Sequence, residues 1–191
     1  MSLLHPRSRA EQFEAMAAEY ERPIYLLCLR MMGNREDAQD CAQEALLRSF
    51  RAFDRFRDGA SPKTWLYRIA YNTCIDELRR RRGVVSLDTL REGGFDVPDA
   101  KAERAYEQLE RKERCELVKQ AMEQLPEDQR AALVLREFQQ LSYEEIANAL
   151  QQPEGTIKSR INRAREKVKN FVKQAEQNGC PSVKENEGRQ K

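Results

Sequence analysis

Hydrophobic residues recur every three to four positions along most of this chain. Phe13, Met16, Ala17, Tyr20, Ile24, Leu27, Cys28 and Met31 form a first stripe, the spacing of an amphipathic α-helix. Pro23 falls inside it, so the stripe predicts two helices or one kinked helix, and Gly33-Asn34 ends it. Ala38, Cys41, Ala42, Ala45, Leu46, Ser49, Phe50 and Phe53 form a second stripe. The Gly, Ser and Pro of "RDGASP" (57–62) predict a loop. A third helix then runs from Lys63 or Thr64 to about Arg82, with Leu66, Ile69, Ala70 and Thr73 as its inward stripe. Three long helices with short connections make a small bundle over residues 10–82.

The pattern breaks at "GVVSLDTLREGGFDVPD" (83–99), whose three glycines, proline and lack of period predict a linker. Helical spacing resumes in a second unit, 100–173. It holds a charged helix to Leu125, a helix opening at Pro126, and two more in "SYEEIANAL" and "EGTIKSRINRAREKVKNFV". The last eighteen residues, 174–191, are nearly all polar and are expected to fray. No stretch alternates as a strand would. The fold class expected is all-α, as two small helical domains joined by a flexible linker.

Composition narrows function mainly by exclusion. The chain has 191 residues and a formal net charge of only +2, so any role for charge depends on its distribution. Five cysteines without a C-x-x-C pair, and a single histidine (His5), give neither a disulfide framework nor a zinc site of ordinary spacing. Cys28, Cys41 and Cys74 fall at or near core-facing positions, and only Cys180 is expected to be plainly exposed. The start lacks a signal-peptide core, and no apolar run of about 18 residues occurs. A cytoplasmic protein is expected, with no catalytic residues, metal or cofactor. A helical enzyme is disfavoured because no phosphate-cradling glycine loop and no nucleophile with a base can be found.

Two helices carry the informative chemistry. In the second unit, Ser142 and Glu145 predict a capping box that opens a short helix with Ile146, Ala149 and Leu150 inward. After the turn "QQPEG", Ile157, Ile161, Ala164, Val168 and Phe171 share one stripe, while Gly155, Ser159, Asn162, Arg163 and Glu166 lie opposite. Residues 154–173 hold seven Lys/Arg and two Glu, a local charge of +5. A capped helix, a tight turn and a basic second helix predict a helix-turn-helix that reads duplex DNA in the major groove. A solvated basic face would give the same periodicity without DNA. In the first unit, "TWLYRIAYNTCIDELRRRR" (64–82) combines aromatics, Asn72 and four arginines. Aromatic rings stack on unpaired bases, an amide bonds a base edge that has lost its partner, and arginines hold phosphates. The alternatives are that Trp65 belongs to the core and that Arg79 to Arg82 complement the helix dipole.

"NREDAQDCAQEALLRSFRAFDRFR", followed by a loop and "TWLYRIAYNTCIDELRRRR", resembles region 2 of extracytoplasmic-function RNA polymerase sigma factors. "LPEDQRAALVLREFQQLSYEEIANALQQPEGTIKSRINRAREKVK" is similar to their region 4. The resemblance spans 10–173, with the motifs in order. It implies a promoter-specificity subunit that binds core RNA polymerase at the β′ clamp helices and the β flap. It further implies that promoter DNA is read as a −35 duplex and a melted −10 element, and that a cognate anti-sigma factor restrains the chain. On this resemblance Asp40, Gln43 and Glu44 face the clamp. Phe56, Trp65, Arg68, Asn72, Arg79, Arg80, Arg81 and Arg82 serve the −10 element, with Asn72 at a flipped base. Thr156, Lys158, Ser159, Arg160, Asn162 and Arg163 serve the −35 duplex. Pro62 stands where many relatives have an aromatic, so the resemblance fixes no base preference at −10. A conventional dimeric repressor or activator is the competing reading of the helix-turn-helix, and it leaves the 10–82 unit without a use. Weak DNA binding by the isolated chain is expected.

Overall fold

A computed structural model describes residues 8–56, 61–84 and 105–177; side chains 82–84 and 105–112 are left aside. The linker expected at 83–99 lies outside the described residues beyond Val84, as does the tail beyond Gln177. Among the described residues every regular element is helical: α1 (Arg9–Met32), α2 (Arg35–Ala52), a 3₁₀ turn at Phe53–Arg55, α3 (Pro62–Val84), α4 (Ala105–Glu123), α5 (Glu127–Glu137), α6 (Tyr143–Leu150) and α7 (Glu154–Gln177). The expected all-α class holds. Residues 174–177, expected to fray, continue α7.

The first stripe forms one helix through Pro23, not two. A proline inside a helix costs about 3 kcal/mol or more; here Ile24, Leu27, Cys28 and Met31, which follow it, are buried and hold the helix on its neighbours. Ser8 and Glu11 close a capping box at its start. At its end Gly33 takes φ 82°, and its N–H donates to the Leu29 carbonyl. That left-handed position is cheap only for glycine. Asn34 then caps α2 through the Asp37 N–H, so two adjacent residues turn the chain back on itself.

α1, α2 and α3 pack against one another through Ala38, Cys41, Ala42, Ala45, Leu66, Ala70 and Cys74. The small residues of α2 allow close helix approach, and its one buried hydroxyl, Ser49, donates to the Ala45 carbonyl at 2.7 Å. Phe50, expected inward, is 52% exposed. Its ring instead stands edge-on to Phe13 at 5.2 Å, covering the rim of the bundle.

In the second unit α7 packs on α4, α5 and α6. Ile157, Ile161 and Ala164 are fully buried, and Val168 packs partly against the same core. Ser142 and Glu145 form both bonds of their capping box. Cys28, Cys41 and Cys74 are buried as expected, but Cys115 of α4 is exposed.

The two units are not separate in space. Their buried residues form one continuous cluster, with α3 against α6 and α1 against α5. Tyr67, which is not part of the predicted inward stripe, is only 2% exposed for this reason.

Candidate nucleic-acid interface

α7 separates packing from display. Its apolar stripe anchors it on α5 while Lys158, Asn162 and Arg163 are exposed and Thr156, Ser159 and Arg160 are half-buried. The local fold fixes several of these groups before any ligand arrives. The Ser159 hydroxyl donates to the Thr156 carbonyl at 2.8 Å. Arg160 pairs with Asp128 of α5 at 2.9 Å, and Lys158 with Glu154 one turn back at 2.6 Å. The Lys158 ammonium also stands 5.5 Å from the centre of the Tyr143 ring, and its bond to Glu154 raises its pKa. Further along, Arg165 bonds Glu137 at 3.0 Å. Exposed ion pairs of this kind contribute at most about 1 kcal/mol and exchange readily for phosphate.

α3 carries a different surface. Phe13, Phe53, Phe56 and Trp65 form an aromatic chain, in which Phe56 and Trp65 have ring centres 4.9 Å apart. Trp65 is half-buried, with its edge in an open cleft, and Arg68 lines the same cleft. Trp65 is thus partly packed and partly displayed. One turn on, Asn72 is exposed.

The arginine run divides residue by residue. Arg79 and Arg80 are exposed, and Arg80 forms a two-pronged bond to Glu77 at 2.7 and 2.8 Å. Arg81 turns inward instead, bonding Glu77 and, across the bundle, Asp37. The Arg80 and Arg81 guanidiniums hold the Glu77 carboxyl down at about 2. Arg81 thus ties α3 to α2. The Arg82 side chain lies outside the described residues.

A third surface lies on α2. Asp40 and Gln43 are exposed, while Glu44 is half-buried and accepts from Arg48 at 2.8 Å. Leu47, 49% exposed, lies one turn beyond Gln43 and Glu44 and extends that face with apolar area; Phe50 follows it. Sequence reasoning passed over Leu47, although its i+4 spacing from Gln43 was a usable signal. No described helix is long and apolar enough to cross a membrane, and no described His, Cys, Asp and Glu cluster could hold a metal ion.

These three surfaces fall within two matches to known families. Residues 16–84 match Sigma-70 region 2, and residues 115–168 match Sigma-70 region 4. The chain is 40% identical over 171 residues to the RNA polymerase sigma-H factor of Pseudomonas aeruginosa, covering 85% of this chain and 86% of that one. It is 37% identical over 165 residues to the ECF RNA polymerase sigma-E factor of Escherichia coli, covering 84% and 86%. The fold is similar to that of the sigma factor RpoE of Bartonella quintana, solved in complex with the anti-sigma factor NepR. That match has a TM-score of 0.68 at 26% identity, over 85% of this chain and 97% of that one. The chain belongs to the extracytoplasmic-function group of the sigma-70 family, which directs promoter-specific transcription initiation by RNA polymerase.

Proposed function

We propose that the three surfaces divide the work of initiation among them. The observation that carries this reading is the coexistence in one chain of two unlike DNA-facing helices. α7 displays Asn162 and Arg163 behind a capped α6, whereas α3 offers an aromatic edge, Arg68 and an exposed amide at Asn72. The first suits base edges in an intact major groove, where an arginine or amide makes paired bonds. The second suits a strand already unpaired, where a ring replaces lost stacking and an amide replaces lost pairing.

On this reading α7 docks on the −35 duplex with Asn162 and Arg163 toward the bases. Lys158 and Arg160 exchange Glu154 and Asp128 for phosphates, and Thr156 and Ser159 steady the entry of the helix. Flipping a base costs a few kcal/mol. Trp65 and Phe56 offset it by stacking, Asn72 by hydrogen bonding, and Arg68, Arg79 and Arg80 by charge on the adjacent phosphates. Arg81 acts at one remove, by holding α3 in place. Asp40, Gln43 and Glu44, with Leu47 beside them, meet a basic helical surface of core polymerase, where opposite charge sets orientation and the apolar area adds affinity. The chain performs no chemistry itself and works in the cytoplasm. An anti-sigma factor of the kind that binds the Bartonella relative restrains it.

Run-off transcription with core polymerase and a genomic fragment pool tests this. Added protein yields starts sharing a −35 and −10 pair, and Asn72→Ala abolishes them while polymerase binding persists. No stimulation, together with sequence-specific duplex binding by the isolated chain, would indicate a conventional regulator instead.

A further inference from the structure

The first turn of α1 reaches the 3₁₀ turn that follows α2. Arg9 is the first residue of α1, and the capping box of Ser8 and Glu11 fixes the point from which its side chain leaves. Its Nη2 donates to the Phe53 carbonyl at 2.8 Å and its Nε to the Asp54 carboxylate at 3.4 Å. The guanidinium carbon stands 4.7 Å from the centre of the Phe53 ring. One planar group thus bonds the backbone of Phe53 and faces its ring, a combination that suits a guanidinium and not an ammonium. One helical turn on, Phe13 stands edge-on to the same ring at 5.3 Å. Asp54 is largely exposed, so the ion pair adds little; the carbonyl and ring contacts carry the grip.

The gripped carbonyl also shapes the next step of the chain. It accepts from the Phe56 N–H at 3.0 Å, closing the 3₁₀ turn, so Arg9 and Phe56 share its two lone pairs. That turn is three residues long and has no side-chain cap. Hydrogen bonds of the 3₁₀ type have poor geometry, so the turn takes its shape from the groups that touch it. Phe56 leaves it in extended backbone (φ −68°, ψ 120°), with its ring stacked on Phe53 at 6.0 Å between centres and 9° between planes. It reaches Trp65 at 4.9 Å. Arg9, Phe53, Phe56 and Trp65 form a continuous row, with the cation at one end and the proposed stacking wall at the other. Arg9 does not line the cleft that Trp65 and Arg68 share, and it lies ahead of the 16–84 stretch that matches region 2.

We infer that Arg9 is a positioning residue for reading of the −10 strand: it fixes Phe53 by carbonyl and ring, and through Phe53 the wall of Phe56 and Trp65. The inference rests on the stacking role proposed above for those two rings. A stacking wall offsets the cost of a flipped base fully only when its rings are already in place, because rings that must be ordered on binding lose part of the gain. On this account α1 contributes to strand capture through Arg9 without touching the DNA.

Trp65 is the chain's one tryptophan, so its fluorescence in the full-length isolated chain reports the wall directly. Arg9→Gln is expected to move Trp65 emission to longer wavelength and to raise its quenching by acrylamide, with helicity by circular dichroism unchanged. In complex with core polymerase, the same substitution should weaken binding to a forked template with the −10 non-template strand exposed. The expected loss is about fivefold, the size of one net hydrogen bond. Binding to a duplex carrying only the −35 element should not change. Arg9→Lys keeps the charge and loses the fork of donors, and it should match Arg9→Gln on both readouts. Full recovery of forked-template binding by Arg9→Lys would overturn positioning in favour of a charge contact with phosphate. Trp65 fluorescence that neither substitution moves would overturn it too, as would equal losses on both templates, the mark of a general loss of stability. Phe56→Ala, measured in parallel, separates the two ideas. Forked-template binding that survives Phe56→Ala counts against the stacking role, while Trp65 fluorescence still decides whether Arg9 holds the wall.

Discussion

The two helices proposed to face DNA, α3 and α7, divide packing from display in opposite ways. α7 buries Ile157, Ile161 and Ala164 on one side and displays its polar groups on the other, so its packing and its proposed reading surface do not overlap. α3 mixes the two. Tyr67 is buried, Trp65 and Tyr71 are half-buried, and Arg81 faces inward, interleaved with the exposed Asn72, Arg79 and Arg80. A helix that grips an intact duplex needs only a displayed face on a firm support. A helix that holds an unpaired base has to supply a stacking wall from the edge of its own core. On the proposed roles the functional and structural residues of α3 are the same ones, and substitutions there are expected to combine losses of stability and of function that α7 keeps apart.

The largest effect should come from removing either support. Leu66→Ala in α3 and Ile161→Ala in α7 each delete a fully buried side chain, at about 2–5 kcal/mol. Denaturant unfolding followed by circular dichroism measures both. Because the buried cluster is continuous across the units, both variants should shift a single shared transition; two separate transitions would break the comparison in favour of independent domains. Next is Arg81→Leu, which leaves the half-buried Asp37 and Glu77 without that guanidinium. A loss of about 1–3 kcal/mol is expected, whereas Arg79→Leu at the exposed neighbouring position should cost under about 0.5 kcal/mol.

A smaller loss, about 1 kcal/mol, is expected for Ser142→Ala, which removes the hydroxyl that caps α6. Acidification should act through Glu77. Its carboxyl is lowered from 4.5 to about 2 in the folded chain, so its contribution is complete above about pH 4.5 and is lost as pH falls toward 2. Allowing for partial solvent screening, that share is about 1 kcal/mol, and Glu77→Gln should flatten this part of the stability profile. The smallest effect is chemical. Cys115 should react with a thiol reagent in the native chain while Cys28, Cys41 and Cys74 wait for unfolding.

How much of this was legible in the sequence follows the same division. The capping box at Ser142 and Glu145 and the α7 stripe could be read directly, because local hydrogen bonding and a single buried face leave a clear period. In α3 the predicted stripe of Leu66, Ile69, Ala70 and Thr73 accounts for the contact with α1 and α2. It misses Tyr67, whose burial comes from a partner more than seventy residues further on, at Gln139. Periodicity registers that a face is apolar and cannot register which distant segment covers it. The same limit explains the arginine run: four adjacent identical residues carry no sign that Arg81 faces Asp37 across the bundle while Arg79 and Arg80 face outward. Pro23 is the converse case, a local rule overruled by the packing of the buried Ile24, Leu27, Cys28 and Met31 that follow it. Phe50 shares the spacing of the inward stripe, yet it is half-exposed and meets only the Phe13 ring, in a T-shaped contact.

The central claim, that α7 reads duplex and α3 reads an unpaired strand, is tested most directly by equilibrium binding of the polymerase complex to two templates. One is a duplex carrying only the −35 element, and the other is a forked template with the −10 non-template strand exposed. Arg163→Ala is predicted to weaken binding to the first by about 1–3 kcal/mol, the range for one paired base contact. Asn72→Ala should leave the first unchanged and weaken only the second. Equal losses on both templates for Asn72→Ala, or no loss on the −35 duplex for Arg163→Ala, would contradict the account.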